Sequence, residues 1–554
     1  MTAVSLGGRA YWPADTAEPV QDLATGDLLR AAAREAPDVV ALQEVAPDGA
    51  SRLTGADSSS RSWTYVQLLR DAEQCARWLL ARFRPGERVV VWAPNVPEWV
   101  VLQYGAALSG LVLVTANPAL RAEELRFVLE QSGAAGLFSV AAFRGSDMRS
   151  IAAEATAGLP DLREHHDLAE WPEVMSADLA ADLPQVRSTD SAQIQYTSGT
   201  TGVPKGALLS HRGLVNNARY IGLRGGLGGG GRYVTAMPLF HTAGCGMSVL
   251  GAAHRRATLV LLQLFDPSLM LRAIAEHRAD ACLGVPTMLI ALLDHPDFDP
   301  SEVGSVDLVL SGGAAVPPDL IRRVEAAFSC RLSTVYGQTE LSPIVTQTSP
   351  DDADEDRLGT AGRPLWNVEV KIVHPVTGDV AAVGEQGEVC ARGHQRMLGY
   401  FEEPELTAQT VDADEWLHTG DLGTLDDRGY LRITGRLKDM LIRGGENIFP
   451  AEIENLLVTH PDVADAVVIG VPDDVWGERV VAVVRLRRPD VPPSTEQLRD
   501  LCRDRLAPAK TPTDWFVAEQ YPLTGSGKVQ KFRVLEQVQL GAYPRLPADG
   551  GSVG

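Results

Sequence analysis

Lysine is almost missing from this chain of 554 residues, with six against 44 arginines, and aromatic side chains make up only 6%. The six cysteines, Cys75, Cys245, Cys282, Cys330, Cys390 and Cys502, are scattered. With no C-x-x-C pair and no histidine at ligand spacing, they argue against a disulfide framework and a structural zinc site. Long apolar runs are absent too: none approaches the ~18–20 residues of a membrane span, which excludes an integral membrane role. Met1-Thr2-Ala3-Val4-Ser5 has neither the basic start nor the apolar core of a secretory signal, so a cytoplasmic location is expected. Cations are outnumbered, and a net charge of −22 repels nucleic acid and anionic lipid surfaces. Any anionic ligand must be received by a local device, such as a glycine-rich loop or a helix N-terminus. The adjacent His165 and His166 cannot share one helix face and read as solvated surface.

What is present is the composition of a globular protein, 45% hydrophobic and 22% charged, in a chain too long for one core of ~250–300 residues. Two or more domains are expected. Val89–Trp92 reads as a buried strand, Glu98–Leu108 as a helix, Leu111–Val114 as a strand and Ala122–Gln131 as a helix. That alternation predicts an α/β domain with a mostly parallel sheet. Gly225–Gly231 follows no strand and opens no helix, so it reads as a flexible loop rather than a dinucleotide fingerprint. From Tyr430 onward the pattern changes to short strands (Val467–Gly470, Val480–Leu486) and a helix from about Ser494 to Leu506, a compact α+β unit. The small, polar last residues, 546–554, read as a disordered tail.

A sequence that writes arginine almost everywhere keeps lysine where a compact ammonium is wanted. Lys371 and Lys531 read as plain surface cations, but Lys205 and Lys528 each end a stretch rich in glycine and hydroxyls. The first runs Thr197-Ser198-Gly199-Thr200-Thr201-Gly202-Val203-Pro204-Lys205, the second Leu523-Thr524-Gly525-Ser526-Gly527-Lys528. In the first, backbone amides can approach phosphate oxygens while hydroxyls and one ammonium add donors. It is not a Walker loop, because Pro204 precedes the lysine and Gly206 follows it. Tyr336-Gly337-Gln338-Thr339-Glu340 offers an aromatic face, a hydroxyl and a carboxylate, suited to base stacking, a phosphate contact and a Mg²⁺ ligand. Thr419-Gly420-Asp421 presents a carboxylate after a turn, suited to two ribose hydroxyls. Gly435-Arg436-Leu437-Lys438-Asp439 and Arg443-Gly444-Gly445-Glu446-Asn447 follow. Each motif alone is also compatible with a turn, a surface ion pair or a cap; the ordered set leaves those readings little room.

In this set, from about Trp63 to Arg533, the chain resembles the adenylate-forming superfamily of acyl-CoA synthetases, luciferases and peptide-synthetase adenylation domains. The resemblance implies an α/β fold: a large N-terminal adenylate-forming domain (1–437) of sandwiched sheets with a small barrel subdomain, and a small mobile α+β C-terminal domain (438–545). It also implies two steps, in which a carboxylate attacks MgATP to give acyl-AMP and pyrophosphate, then a thiol, usually that of coenzyme A, displaces AMP. Residue by residue, Thr197 to Lys205 match the phosphate loop. Gly312, Gly313 and Ala314 match the segment lining the adenine and acyl pockets. Tyr336 matches the adenine-stacking residue, Thr339 the α-phosphate contact and Glu340 the magnesium ligand. Asp421 and Arg436 match the ribose pair and Lys528 the catalytic lysine. Lys438 matches the hinge, after whose rotation the loop Arg443-Gly444-Gly445 replaces Lys528.

Pro238-Leu239-Phe240-His241-Thr242-Ala243-Gly244 resembles the acyl-pocket motif; His241, with Thr242 and Gly244, stands at the pocket wall, where packing is as good a role as chemistry. Amino-acid-activating members carry an aspartate here, and none occurs between Met237 and Gly246. Acetate-specific members have tryptophan where Gly337 stands, so an open pocket for a medium, long or bulky hydrophobic acid is expected. Leu523 and Asn447 depart from lysine and arginine found in some members, which leaves the thiol acceptor open between coenzyme A and a carrier protein. An aryl-CoA ligase is the other close alternative, and the protein is expected as a monomer or homodimer. A cation aimed at both the carboxylate and the α-phosphate stabilises the adenylation transition state. Lys528→Ala is therefore expected to slow adenylation by ~10²–10³ while sparing thioester formation from preformed acyl-AMP. Separate half-reaction assays check this, and equal loss in both halves would remove Lys528 from that role.

Overall fold

The computed structural model describes residues 8–47, 61–177, 179–197, 204–443, 446–473, 475–523 and 529–548. The β-branched runs recognised in the sequence form three large sheets before residue 437, besides the small ribbon of Ala142–Phe143 and Ser146–Asp147, and a fourth large sheet after it. In the seven-stranded sheet, Arg88–Trp92 is flanked by parallel Val112–Ala116 and Ala134–Ser139. Their residues are buried on both faces, as continuous apolar strands require. The connecting helix Pro97–Ser109 is buried at every position, which a helix achieves only between layers. The nine-stranded sheet is parallel from Val40–Val45 through to Arg331–Gly337 and antiparallel at both edges. One apolar core runs from Ala10 to Leu431 through both sheets and the helices between them.

The third sheet is an antiparallel arrangement of five strands, Tyr11–Trp12, Val368–Val373, Gly387–Gly393, Leu417–Leu425 and Leu431–Arg436. Leu431–Arg436 is its last strand, so the change of architecture falls after Arg436 rather than at Tyr430. The next strand, Leu441–Arg443, belongs to the fourth sheet, built around the long hairpin of Val463–Asp473 and Gly477–Leu486. Helix Thr495–Arg505 opens with a capping box: the Ser494 hydroxyl accepts from the Gln497 amide at 3.2 Å, and the Gln497 side chain accepts from the Ser494 amide at 2.8 Å. Separate apolar clusters fill the two faces of this sheet.

Two local expectations change and one holds. The tail reading does not hold for Leu546, which is 4% exposed, nor for Pro547, whose carbonyl accepts from the Thr495 amide at 3.0 Å. Residues 549–554 lie outside the described residues. His165 and His166 sit on the strand Glu164–Asp167, where side chains alternate; His165 is exposed, but His166 stacks edge-on against Trp78 at 4.7 Å between ring centres. Gly225–Gly231 forms the link from helix His211–Arg224 to strand Arg232–Thr235, as a loop should.

Helix His211–Arg224 begins on a fully buried histidine. His211 Nδ1 lies 3.0 Å from the Thr25 hydroxyl, Nε2 has no partner among the described residues, and burial lowers its pKa to about 4. Protonation therefore favours the unfolded chain, where a histidine titrates near ~6.5. Its contribution to stability is full above that value and is lost as pH falls toward 4, by up to about 1.4 kcal/mol per pH unit. Urea midpoints at pH 7, 6 and 5 should fall more steeply for the natural protein than for His211→Gln; parallel lines would show that the histidine stays neutral in neither state's favour.

Candidate active site

The segment Tyr336–Glu340 leaves the nine-stranded sheet at the end of Arg331–Gly337 and turns through Thr339–Leu341. It touches both other sheets of the large domain. The Tyr336 hydroxyl donates to Asp421 Oδ2 at 2.9 Å, and Arg436 Nε holds Asp421 Oδ1 at 2.9 Å from the neighbouring strand, where the two residues are register partners. Asp421 is 5% exposed, and this pairing gives its two carboxylate oxygens partners where water does not reach. Burial, then the Asp421 charge, pushes the Tyr336 hydroxyl well above its ordinary pKa and holds it as a donor.

Four residues on, Glu340 is buried against the seven-stranded sheet. Its Oε1 accepts from the Tyr400 hydroxyl at 2.8 Å and lies 3.5 Å from the Thr197 hydroxyl, and its carbonyl accepts from the Met397 amide at 2.8 Å. Lys205 is the register partner of Thr197 on the adjacent antiparallel strand. Lys205 thus opens a strand, not the helix that follows the lysine of a Walker site. The Lys205 ammonium stands 5.5 Å from the centre of the Tyr400 ring. Tyr400 thus supports both the carboxylate and the cation. Sequence reasoning missed it; its position in Gly399-Tyr400-Phe401, a short run of aromatics, was the only available signal.

Lys438, in the turn Leu437–Asp439, stands at the surface beside this group. Desolvation, then the charge of Arg436, lowers its pKa, with Lys205 contributing in the same direction and Asp421 against it. The structure thus brings together Thr197, Lys205, Tyr336, Glu340, Asp421, Arg436 and Lys438. Gly312 pairs with Val335 on the adjacent strand, which sets Gly313 and Ala314 next to Tyr336; Gln338 donates its amide to the Pro343 carbonyl, and Thr339 begins the turn. Arg443 lies apart, donating to the carbonyl of Ala509 at 2.6 Å within the small domain. Ser198, Gly199, Thr200, Thr201, Gly202, Gly444, Gly445 and Lys528 lie outside the described residues. Of the other lysines, Lys371 packs 4.3 Å from the Trp416 ring centre, while Lys510 and Lys531 pair with Glu452 and Glu454 at 2.6 and 2.7 Å.

The acyl-pocket motif makes a tight turn in which the His241 carbonyl accepts from the Gly244 and Cys245 amides, and Thr242 leads into Ala243–Leu250, which winds as a π-helix. A Cβ on Gly244 would meet the Pro238 carbonyl at 2.2 Å. Gly337 has a similar reason: a Cβ there would meet the Pro343 carbonyl oxygen at 1.9 Å. The missing side chain faces backbone, so this glycine is explained by close approach and does not by itself bear on acyl length.

The family described as AMP-binding enzyme matches residues 29–401, and that described as AMP-binding enzyme C-terminal domain matches 452–528. YngI of Bacillus subtilis (strain 168) is 36% identical over 508 residues, covering 86% of this chain and 92% of that protein. Medium-chain acyl-CoA ligase ACSF2, mitochondrial, of Rattus norvegicus is 33% identical over 569 residues, covering 96% and 90%. Among solved structures, ATP-bound MatB from Rhodopseudomonas palustris superposes with a TM-score of 0.83 at 27% identity, over 93% of this chain and 99% of that one. Gly337→Ala is expected to cost ~1–3 kcal/mol through overpacking and to weaken nucleotide binding by displacing Tyr336, without changing the ranking of acid substrates. Thermal melts and an acid panel check this; an altered chain-length preference at unchanged stability would count against it.

Proposed function

Because this chain belongs to the AMP-binding enzymes, and is thus an AMP-forming acid-thiol ligase, we propose that it activates a medium-chain, long or bulky hydrophobic carboxylic acid and transfers it to coenzyme A. The observation that carries the reading is the convergence of Tyr336, Asp421, Arg436, Glu340, Thr197 and Lys205 around one strand end. Supporting a hydrophobic acid, no carboxylate stands between Met237 and Gly246 to receive an ammonium, and the helix Ala243–Leu250 is buried from Gly244 to Leu250. The relative ACSF2 is itself described as a medium-chain ligase.

In the first step an acid oxygen bonds to the α-phosphorus of ATP as the bond to the bridging oxygen breaks, releasing pyrophosphate. In the second the thiol sulfur bonds to the acyl carbon, loses its proton, and AMP departs. Asp421 accepts the ribose hydroxyls, with Arg436 and Tyr336 fixing its rotamer. Thr197, the loop after it and Lys205 receive the β- and γ-phosphates. Thr339 contacts the α-phosphate, and Lys528 stabilises charge between the two reacting oxygens. Glu340, a hard oxygen donor anchored by Tyr400, suits Mg²⁺, which supplies neutralisation of phosphate charge when bound with ATP. Lys438, at the junction after the last strand of the five-stranded sheet, serves as hinge for presenting first Lys528 and then the Arg443-Gly444-Gly445 loop.

Pyrophosphate release with MgATP across short, medium, long, aromatic and polycyclic acids, with and without coenzyme A, tests the reading. Release confined to hydrophobic acids and turned over repeatedly with coenzyme A is expected. Release that stalls after about one turnover would move the acceptor to a carrier protein. Preference for small or amino acids would overturn the substrate class.

A further inference from the structure

The strand that carries Asp421 does not run in simple register with its neighbour. Glu388 pairs with Leu422 and Cys390 with His418, so Val389 alone stands opposite Thr419, Gly420 and Asp421. The excess residues bulge from the ladder, and Gly420 takes a left-handed φ of +70°. Their amides lose ladder partners, and side chains take over. Glu388 Oε1 accepts from the Gly420 amide at 3.0 Å. The Thr419 hydroxyl donates to the Val389 carbonyl at 2.7 Å and accepts from the Asp421 amide at 3.1 Å.

The second oxygen of Glu388 is held in turn by His418 Nδ1 at 2.8 Å, while His418 Nε2 lies 3.6 Å from Asp412 on its other side. Sandwiched between two carboxylates, His418 has its pKa raised, chiefly by the Glu388 hydrogen bond. Cys390 Sγ is 3.4 Å from Nδ1, a contact that a separation of 28 residues hides in the sequence. Glu388, Cys390 and His418 have the spacing of three metal ligands. Their atoms are otherwise engaged: Nδ1 and one carboxylate oxygen bind each other, the second oxygen holds an amide, and burial raises the Cys390 thiol pKa and keeps its proton. The cluster reads as a brace.

We propose that Glu388 is a positioning residue for Asp421, setting the bulge that aims this carboxylate at the ribose, with His418 fixing the Glu388 rotamer. The inference rests on the ribose reading of Asp421 given above. Glu388 itself touches no reacting group; it acts through the Gly420 amide, one peptide from Asp421.

Calorimetric binding of AMP, 2′-deoxy-AMP and 3′-deoxy-AMP to the full chain tests it. Glu388→Ala should weaken AMP about tenfold, the loss of a charge-assisted hydrogen bond, yet weaken the deoxynucleotides much less, so that the AMP preference collapses. Glu388→Gln, which keeps an acceptor for the Gly420 amide, should recover most of the preference. A general loss of packing would instead weaken all three nucleotides alike, and that outcome overturns the proposal. Asp421→Asn separates the two readings. If it collapses the preference while Glu388→Ala preserves it, the positioning role falls and the ribose reading stands. If Asp421→Asn itself preserves the preference, the ribose reading falls and takes the proposal with it. Should Glu388→Ala fail to fold, His418→Gln serves: partial loss of preference supports the brace, and an unchanged preference overturns it.

Discussion

The hydrogen bond from Tyr336 to Asp421 joins two sheets that share no strand, and the site depends on that junction. Tyr336 ends a strand of the nine-stranded sheet, and Asp421 with Arg436 belongs to the five-stranded one. Glu340, four residues later, reaches Thr197 and Tyr400 in the seven-stranded sheet. One five-residue segment therefore touches all three layers. Because each layer is held by a continuous apolar core, the polar groups at their meeting point are positioned by packing far larger in total than the few hydrogen bonds among them.

This arrangement answers the electrostatic difficulty of a chain with a net charge of −22 that receives a polyanion. Long-range attraction is not available, so donors must be local. Asp421 is ion-paired with Arg436, and Lys438 stands close enough to feel the charges of Arg436 and Lys205. Cations gathered near one another repel, and an anion placed between them relieves that repulsion. The scarcity of lysine elsewhere sharpens the contrast: Lys371, Lys510 and Lys531 are each engaged by an aromatic ring or a carboxylate.

Two of the irregularities in the sheets fall beside Tyr336 and Asp421. The ladder slips between Tyr336 and Gly337, next to the Pro343 backbone, and again opposite Val389, beside Asp421. Regular strands would send alternate side chains to opposite faces and pair every amide; a slip releases one stretch to point elsewhere, provided that side chains such as Glu388 and Thr419 satisfy what the ladder leaves. The wide winding of Ala243–Leu250 after His241 is a further departure from regular geometry beside the acyl-pocket motif.

Much of this was legible in the sequence. Apolar runs such as Val89–Trp92, the helix Ala122–Gln131 and the serine cap at Ser494 follow from local periodicity and capping chemistry, which act over a few residues. The motifs carrying Lys205, Tyr336, Glu340, Asp421 and Arg436 were visible because each is a compact cluster of distinctive residue types. What only the tertiary structure decided were pairings that the local sequence does not show: Tyr400 on Glu340, Glu388 behind Asp421, His418 on Glu388, and the Pro343 backbone that makes Gly337 obligatory. The tail residue Leu546 belongs with these, since its burial depends on a neighbour more than thirty residues earlier, Trp515. Local sequence encodes the donor and the turn that presents it. The acceptor's position depends on sheet order and register, which arise only when whole layers pack.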